Sequence, residues 1–67
     1  MIKIKLNGKD KEINDRMSVS QFLEGLKINP EGVVVELNLQ VLNKAEYESA
    51  YLKEGDNVEI INIVGGG

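Results

Sequence analysis

The sequence predicts an α+β domain, a mixed sheet of four to five strands with one main helix packed across one face, and three observations predict it. Apolar and charged residues alternate at the N-terminus, a capped stripe of apolar residues at helical spacing follows, and two β-branched runs come after that. A hairpin, a helix and then further strands cannot make a purely parallel array, so the simplest packing places every strand in one sheet. At 67 residues the chain makes one domain with one small core.

Ile2, Ile4 and Leu6 alternate with Lys3 and Lys5, the period of a strand with one buried face, and Asn7-Gly8 tolerates the positive φ angles of a tight turn. The return strand spans about Lys9 to Ile13. A two-residue turn pairs Ile2 with Ile13 and a four-residue loop pairs Ile4 with Ile13, and the sequence leaves both registers open. Ser18 followed by Gln21 is a capping-box pattern, with Met17 and Phe22 at the spacing of a hydrophobic staple, so a helix starts at Val19. Val19, Phe22, Leu23 and Leu26 then fall at i, i+3, i+4 and i+7, an apolar stripe on a helix of roughly nine residues, about 14 Å long, that ends before Asn29-Pro30.

Val33–Leu37 carries a single charge, Glu36, and predicts a largely buried third strand. Gln40-Val41-Leu42 predicts a short fourth strand after a turn at Asn38-Leu39. The stretch 45–51 predicts a single helical turn with Tyr47 and Tyr51 facing inward. Lys53-Glu54-Gly55-Asp56 is a turn, and Val58, Ile60, Ile61 and Ile63 form the last strand, which leads directly into Val64 and three glycines. The elements in this order give the β-grasp, or ubiquitin-like, arrangement. In it the first and last strands are parallel neighbours in mid-sheet, residues 1–64 make the domain, and residues 65–67 make a free, flexible tail.

Composition removes many function classes. Cysteine and histidine are both absent, which excludes disulfides, thiolate and imidazole metal sites and nucleophilic thiols. Eleven acidic against eight basic side chains give a net charge of −3, the wrong sign for a phosphate backbone, and one Phe and two Tyr offer little for base stacking. No nucleic-acid partner is expected, whereas a protein with a basic docking surface suits the charge. No apolar run approaches the roughly 20 residues that span a bilayer, and the alternating N-terminus lacks the pattern of a signal peptide, so no membrane partner and a cytoplasmic location are expected.

The tail carries the chemistry. Three terminal glycines arise by chance in roughly 3 of 10,000 chains at an average glycine frequency near 7%. A glycine run also suits a linker or an uninvolved end. Here the glycines directly follow a strand, with no serine or charge among them. Without Cβ atoms, Gly65, Gly66 and Gly67 can thread a narrow channel in another protein and bring the Gly67 carboxylate in line with a nucleotide. A carboxylate becomes an acylating group once adenylated. The cations and backbone donors that this step needs are not recognisable in the chain, so the activating machinery belongs to a different protein. Val64, Gly65 and Gly66 are the residues expected to contact it, with no cofactor and no metal bound by the chain itself.

Other candidates have simpler readings. Asn7-Gly8 lacks a surrounding phosphate-loop signature and reads as a turn. Glu46, Glu48, Glu54 and Asp56 match no calcium-loop spacing and read as a solvated surface. Tyr47 and Tyr51 read as packing under a loop. A sheet covered by one helix leaves its other face open, so Val41, Ile61 and Ile63 are candidates for docking a partner.

The chain resembles the sulfur carrier protein of thiamine biosynthesis, a short ubiquitin-like family. The resemblance lies mainly in Leu52-Lys53-Glu54-Gly55-Asp56-Asn57-Val58-Glu59-Ile60 and in Val64-Gly65-Gly66-Gly67. Asn7-Gly8, Phe22-Leu23 with Leu26, and Val33-Val34-Val35-Glu36-Leu37-Asn38 also resemble the family pattern. Asn38-Leu39-Gln40 and Leu42-Asn43-Lys44 depart from it, standing where related chains often have an Asn-Gly turn and a Pro-Arg pair. The resemblance implies that a ubiquitin-activating-like adenylyltransferase adenylates Gly67 with ATP and magnesium. It further implies that a cysteine-desulfurase relay supplies sulfur to make a thiocarboxylate, and that thiazole synthase consumes it. The chain is then a substrate and not an enzyme. Three rivals share the fold: the small subunit of molybdopterin synthase, usually longer; a ubiquitin-like modifier, which would form lysine-linked conjugates; and a β-grasp interaction module, which would work without its last glycines.

Overall fold

The computed structural model describes residues 1–63. Strand β1 (Ile2–Leu6) and strand β2 (Lys9–Ile13) form the opening hairpin, and helix α1 (Val19–Gly25) follows. A 3-10 turn at Pro30–Gly32 leads into β3 (Val33–Leu37) and β4 (Gln40–Val41); a second at Lys44–Glu46 precedes β5 (Asn57–Asn62). The five strands form one sheet in the order β2-β1-β5-β3-β4. β1 and β5 are parallel neighbours and β5 holds the central position, as the β-grasp arrangement requires.

The hairpin takes the two-residue register, with Ile2 opposite Ile13. Asn7 and Gly8 have φ angles of 50° and 84°, the doubly left-handed turn whose twist matches that of the flanking strands. Asn38 and Leu39, at 52° and 72°, make the same kind of turn between β3 and β4.

Helix α1 begins at Val19 with the capping box intact: the Gln21 N–H donates to Ser18 Oγ at 3.1 Å, and the Ser18 N–H donates to Gln21 Oε1 at 3.0 Å. It is seven residues long and stops well before Asn29-Pro30. Lys27 adopts φ 59°, while the Ile28 N–H donates to Leu23 O at 3.0 Å and the Lys27 N–H to Glu24 O at 3.0 Å. This is a Schellman closure with lysine in the position that glycine usually fills.

The core lies between α1 and the sheet. Ile4, Ile13, Val19, Phe22, Leu23, Val33, Val35 and Val58 are buried in one cluster, joined by Tyr47 and Leu52 from the long connection. Tyr47 is 4% exposed, as expected, but Tyr51 is 54% exposed and not inward-facing. An i, i+4 pair shares a face only on a continuous helix. Here the 3-10 turn ends at Glu46, and by Tyr51 the chain is extended, making an isolated bridge to Ser18. The fourth strand is also shorter than expected, ending at Val41, although the Leu42 N–H still donates to Val35 O at 2.9 Å. No helix among the described residues is long and apolar enough to cross a membrane.

Candidate functional site

The residues expected to carry the chemistry, Gly67 with Gly65, Gly66 and Val64, lie outside the described residues, as does the boundary between domain and tail. What the structure describes is the platform that leads to them. β5 is held on both sides near its start and on one side near its end. Glu59, Ile60 and Ile61 lie opposite Glu36, Val35 and Val34 of β3, and the Ile63 N–H donates to Gly32 O at 3.0 Å, so the pairing continues to the last described residue.

Two polar anchors fix this strand. At its start, the buried Asp56 side chain accepts from Asn38 Nδ2 at 3.0 Å and from the Lys53 N–H at 2.8 Å. Asn38 in turn accepts the Asn57 N–H at 2.9 Å through Oδ1, so one carboxylate and one amide tie both turns to β5. Farther along, Asn7 Oδ1 accepts the Ile60 N–H at 2.8 Å, and Asn7 Nδ2 donates to Ile60 O at 3.4 Å. The hairpin turn therefore also braces the strand that carries the tail. Nothing in the local sequence pattern foretells this contact, since it joins residues 53 apart.

Side chains alternate across the sheet. Val58 and Ile60 face α1 and the core, whereas Glu59 and Ile61 face the side that α1 leaves open. Ile61 lies opposite Val34, and Val41 opposite Glu36, so the structure brings Ile61 and Val41 to the open face. Both are exposed, as is Ile63. Leu39, at the tip of the turn before β4, is an exposed large apolar residue that the sequence reading did not single out. Among the described residues no group of three acidic side chains is arranged to hold a metal ion, and Glu46, Glu48 and Glu54 are all exposed. Glu46 instead accepts the Asn43 N–H at 3.0 Å, and Glu54 the Lys3 N–H at 2.9 Å.

β5 is thus held in mid-sheet and runs out beside an open face on which the exposed Val41 and Ile61 lie. Comparison with known proteins agrees with this geometry. The chain is 34% identical over 65 residues to the sulfur carrier protein ThiS of Bacillus subtilis, covering 96% of this chain and 98% of that one. It is 32% identical over 66 residues to a thiazole synthase of Paramagnetospirillum magneticum, covering 98% of this chain but only 20% of that longer protein. Among solved structures, the thiamine biosynthesis protein ThiS of Geobacter metallireducens superposes with a TM-score of 0.86 at 33% identity, over 98% of this chain and 100% of that one. A sequence model of the ThiS family matches residues 4–67, which includes the three glycines, and the chain belongs to that family.

Proposed function

We propose that the chain is a sulfur carrier of thiamine biosynthesis and that its reacting atom is the carboxyl carbon of Gly67. The observation that supports this most directly is that the ThiS family match runs through residue 67, so the glycines are part of the matched pattern. A ubiquitin-activating-like adenylyltransferase, using ATP and magnesium, lets a Gly67 carboxylate oxygen attack the α-phosphorus, and pyrophosphate leaves. The terminal sulfur of a persulfide on a cysteine-desulfurase relay then attacks the acyl carbon and AMP leaves, giving an acyl disulfide. A second thiol of the relay attacks the carrier sulfur, forms a disulfide with it and releases the thiocarboxylate. Thiazole synthase takes that sulfur. The stretch similar to this chain within a longer protein named thiazole synthase supports a working association between carrier and synthase. The chain supplies no catalytic group to these steps and is the substrate of each. ATP and magnesium are bound by the activating partner.

The chain's own contribution is presentation. Glycine backbone admits Gly65, Gly66 and Gly67 to a channel too narrow for side chains, and β5, held by Asn7 and Asp56, fixes where that backbone starts. The experiment is thiol-specific alkylation of the chain isolated from its native cells, followed by mass spectrometry of the C-terminal fragment. The chain contains no cysteine, so an alkylated Gly67 fragment identifies a thiocarboxylate. Intact mass alone would confuse sulfur-for-oxygen exchange with oxidation of Met1 or Met17. Absence of that fragment after supply of activating enzyme, ATP and sulfur donor would overturn the reading.

A further inference from the structure

β5 outruns its parallel neighbour. Lys5 and Leu6 of β1 lie in register with Asn57 and Val58, and there the pairing stops because the chain turns at Asn7-Gly8 into β2. The backbone groups of β5 alternate in direction. Those of the even-numbered residues face β1: the Lys5 N–H donates to Asp56 O and the Asn7 N–H to Val58 O, both at 2.9 Å. Those of the odd-numbered residues face β3, as the Asn38 N–H bond to Asn57 O at 2.8 Å and the Ile63 bond to Gly32 show. At Ile60 the Asn7 side chain takes the place of the missing strand and satisfies both backbone groups. Asn62 comes next on that side. Its N–H and C=O face the position that β1 has vacated, where no strand stands among the described residues.

Beside this open edge, toward the helix, lies a groove lined by Leu6, Leu26, Ile28, Val33 and Ile60, with the amides of Asn7 and Asn62 at its rim. An unpaired backbone edge and an apolar groove together have the two parts of a strand-addition site: main-chain hydrogen bonds supply affinity and the groove takes a side chain. We propose that an extended strand of the partner that activates Gly67 docks here, laid along β5 in line with β1, bonding to the Asn62 backbone and placing one apolar side chain in the groove. This rests on the Gly67 reading above.

A second copy of the chain fits poorly. The exposed edge strand it could offer, β2, reads Lys9-Asp10-Lys11-Glu12 before the buried Ile13, and β4 has only two residues. The activating partner fits because of position. Gly67 lies five residue steps beyond Asn62, a reach of at most about 18 Å fully extended, so a strand bonded at Asn62 aligns the chain just before its reacting end.

The test is Asn62→Pro. Proline removes only the N–H that faces the vacated edge, breaks no bond to β3, and is tolerated where a strand edge faces solvent. Asn62→Ala keeps the N–H. With the adenylyltransferase of the same organism as probe, Asn62→Pro is expected to weaken Kd by about tenfold, and Asn62→Ala by less than about twofold. Amide exchange on the wild-type chain gives a second reading that needs no variant to fold: the Asn62 amide is expected to become protected on saturation with that enzyme. Wild-type affinity for a folded Asn62→Pro, or an unprotected Asn62 amide in the saturated complex, would overturn the proposal. So would protection that grows with chain concentration and no enzyme, which would assign the edge to a second copy. ATP–pyrophosphate exchange with the wild-type chain separates the two levels: its absence removes the Gly67 reading and this proposal together, and its presence with an unprotected Asn62 removes this proposal alone.

Discussion

Glu36 of β3 and Glu59 of β5 are directly opposite each other in the centre of the sheet, on the face away from α1. Both are half-buried, and neither belongs to an ion pair among the described residues. Like charges directly opposite in an antiparallel pair oppose folding by roughly 0.2–1 kcal/mol. Glu59→Gln is therefore expected to stabilise the domain by about 0.5 kcal/mol, raising Tm by about 2–4 °C. Glu36→Gln should give a similar gain, and the double variant little beyond either single one, because the repulsion is removed once. Thermal melts of the three variants check this. Additive gains, or none, would mean that the two carboxylates do not interact.

Asp56 shows the opposite balance, a buried carboxylate with its hydrogen bonds made. Asp56→Ala leaves the Lys53 N–H and Asn38 Nδ2 without their acceptor, and each bond involved a charged group. The expected loss is about 2–3 kcal/mol, a large share of the stability of so small a domain. A urea titration measures it. A loss below about 1 kcal/mol would show that water replaces the carboxylate and that Asp56 does not anchor β5.

How much of this was legible depended on whether a feature was local or lay across the sheet. The start of α1 was written locally in Ser18 and Gln21, and the strands in their alternation, so those elements appear where the sequence places them. Asn7-Gly8 suits more than one loop length, so the sequence alone leaves the hairpin register open; the positive φ at both residues sets a two-residue loop. The helix ends before Asn29-Pro30, as its sequence predicts, but is seven residues long where roughly nine are expected, because Lys27, a residue that resists left-handed backbone, adopts it and closes the helix early. Tyr51 departs from the inward position that helical spacing predicts because the helical turn stops at Glu46. The bracing of Ile60 by Asn7 and the opposition of Glu36 and Glu59 exist only once strand order and register are set. No pattern within either segment encodes them. The exposed Val41, Ile61 and Ile63 were legible because one helix covers only one face of a sheet.

The Ser18 cap offers a direct measure of how far that local signal stabilises the fold. Ser18→Ala removes the acceptor for the Gln21 N–H and is expected to destabilise by about 1 kcal/mol, whereas Ser18→Gly should cost only a few tenths beyond wild type. The two losses are compared by urea midpoint. Equal losses would assign the effect to the buried surroundings of Ser18 and not to its cap.

Deletion of Gly66 and Gly67 separates folding from chemistry. Among the described residues every buried one lies at or before Val58, and these form one core cluster. The truncated chain is expected to melt within about 1–2 °C of the full chain, because terminal residues outside the core contribute little to global stability. Sulfur transfer, followed as alkylatable C-terminal thiocarboxylate in the presence of activating enzyme, ATP and sulfur donor, is expected to fall below detection. The new terminus at Gly65 would sit two residues short, roughly 7 Å, and a misplacement of even 1 Å at a reacting centre can cost about a hundredfold in rate. A truncated chain that still acquires sulfur would remove the carboxylate of Gly67 from the reaction; one that fails to fold would place the glycines in the structure of the domain.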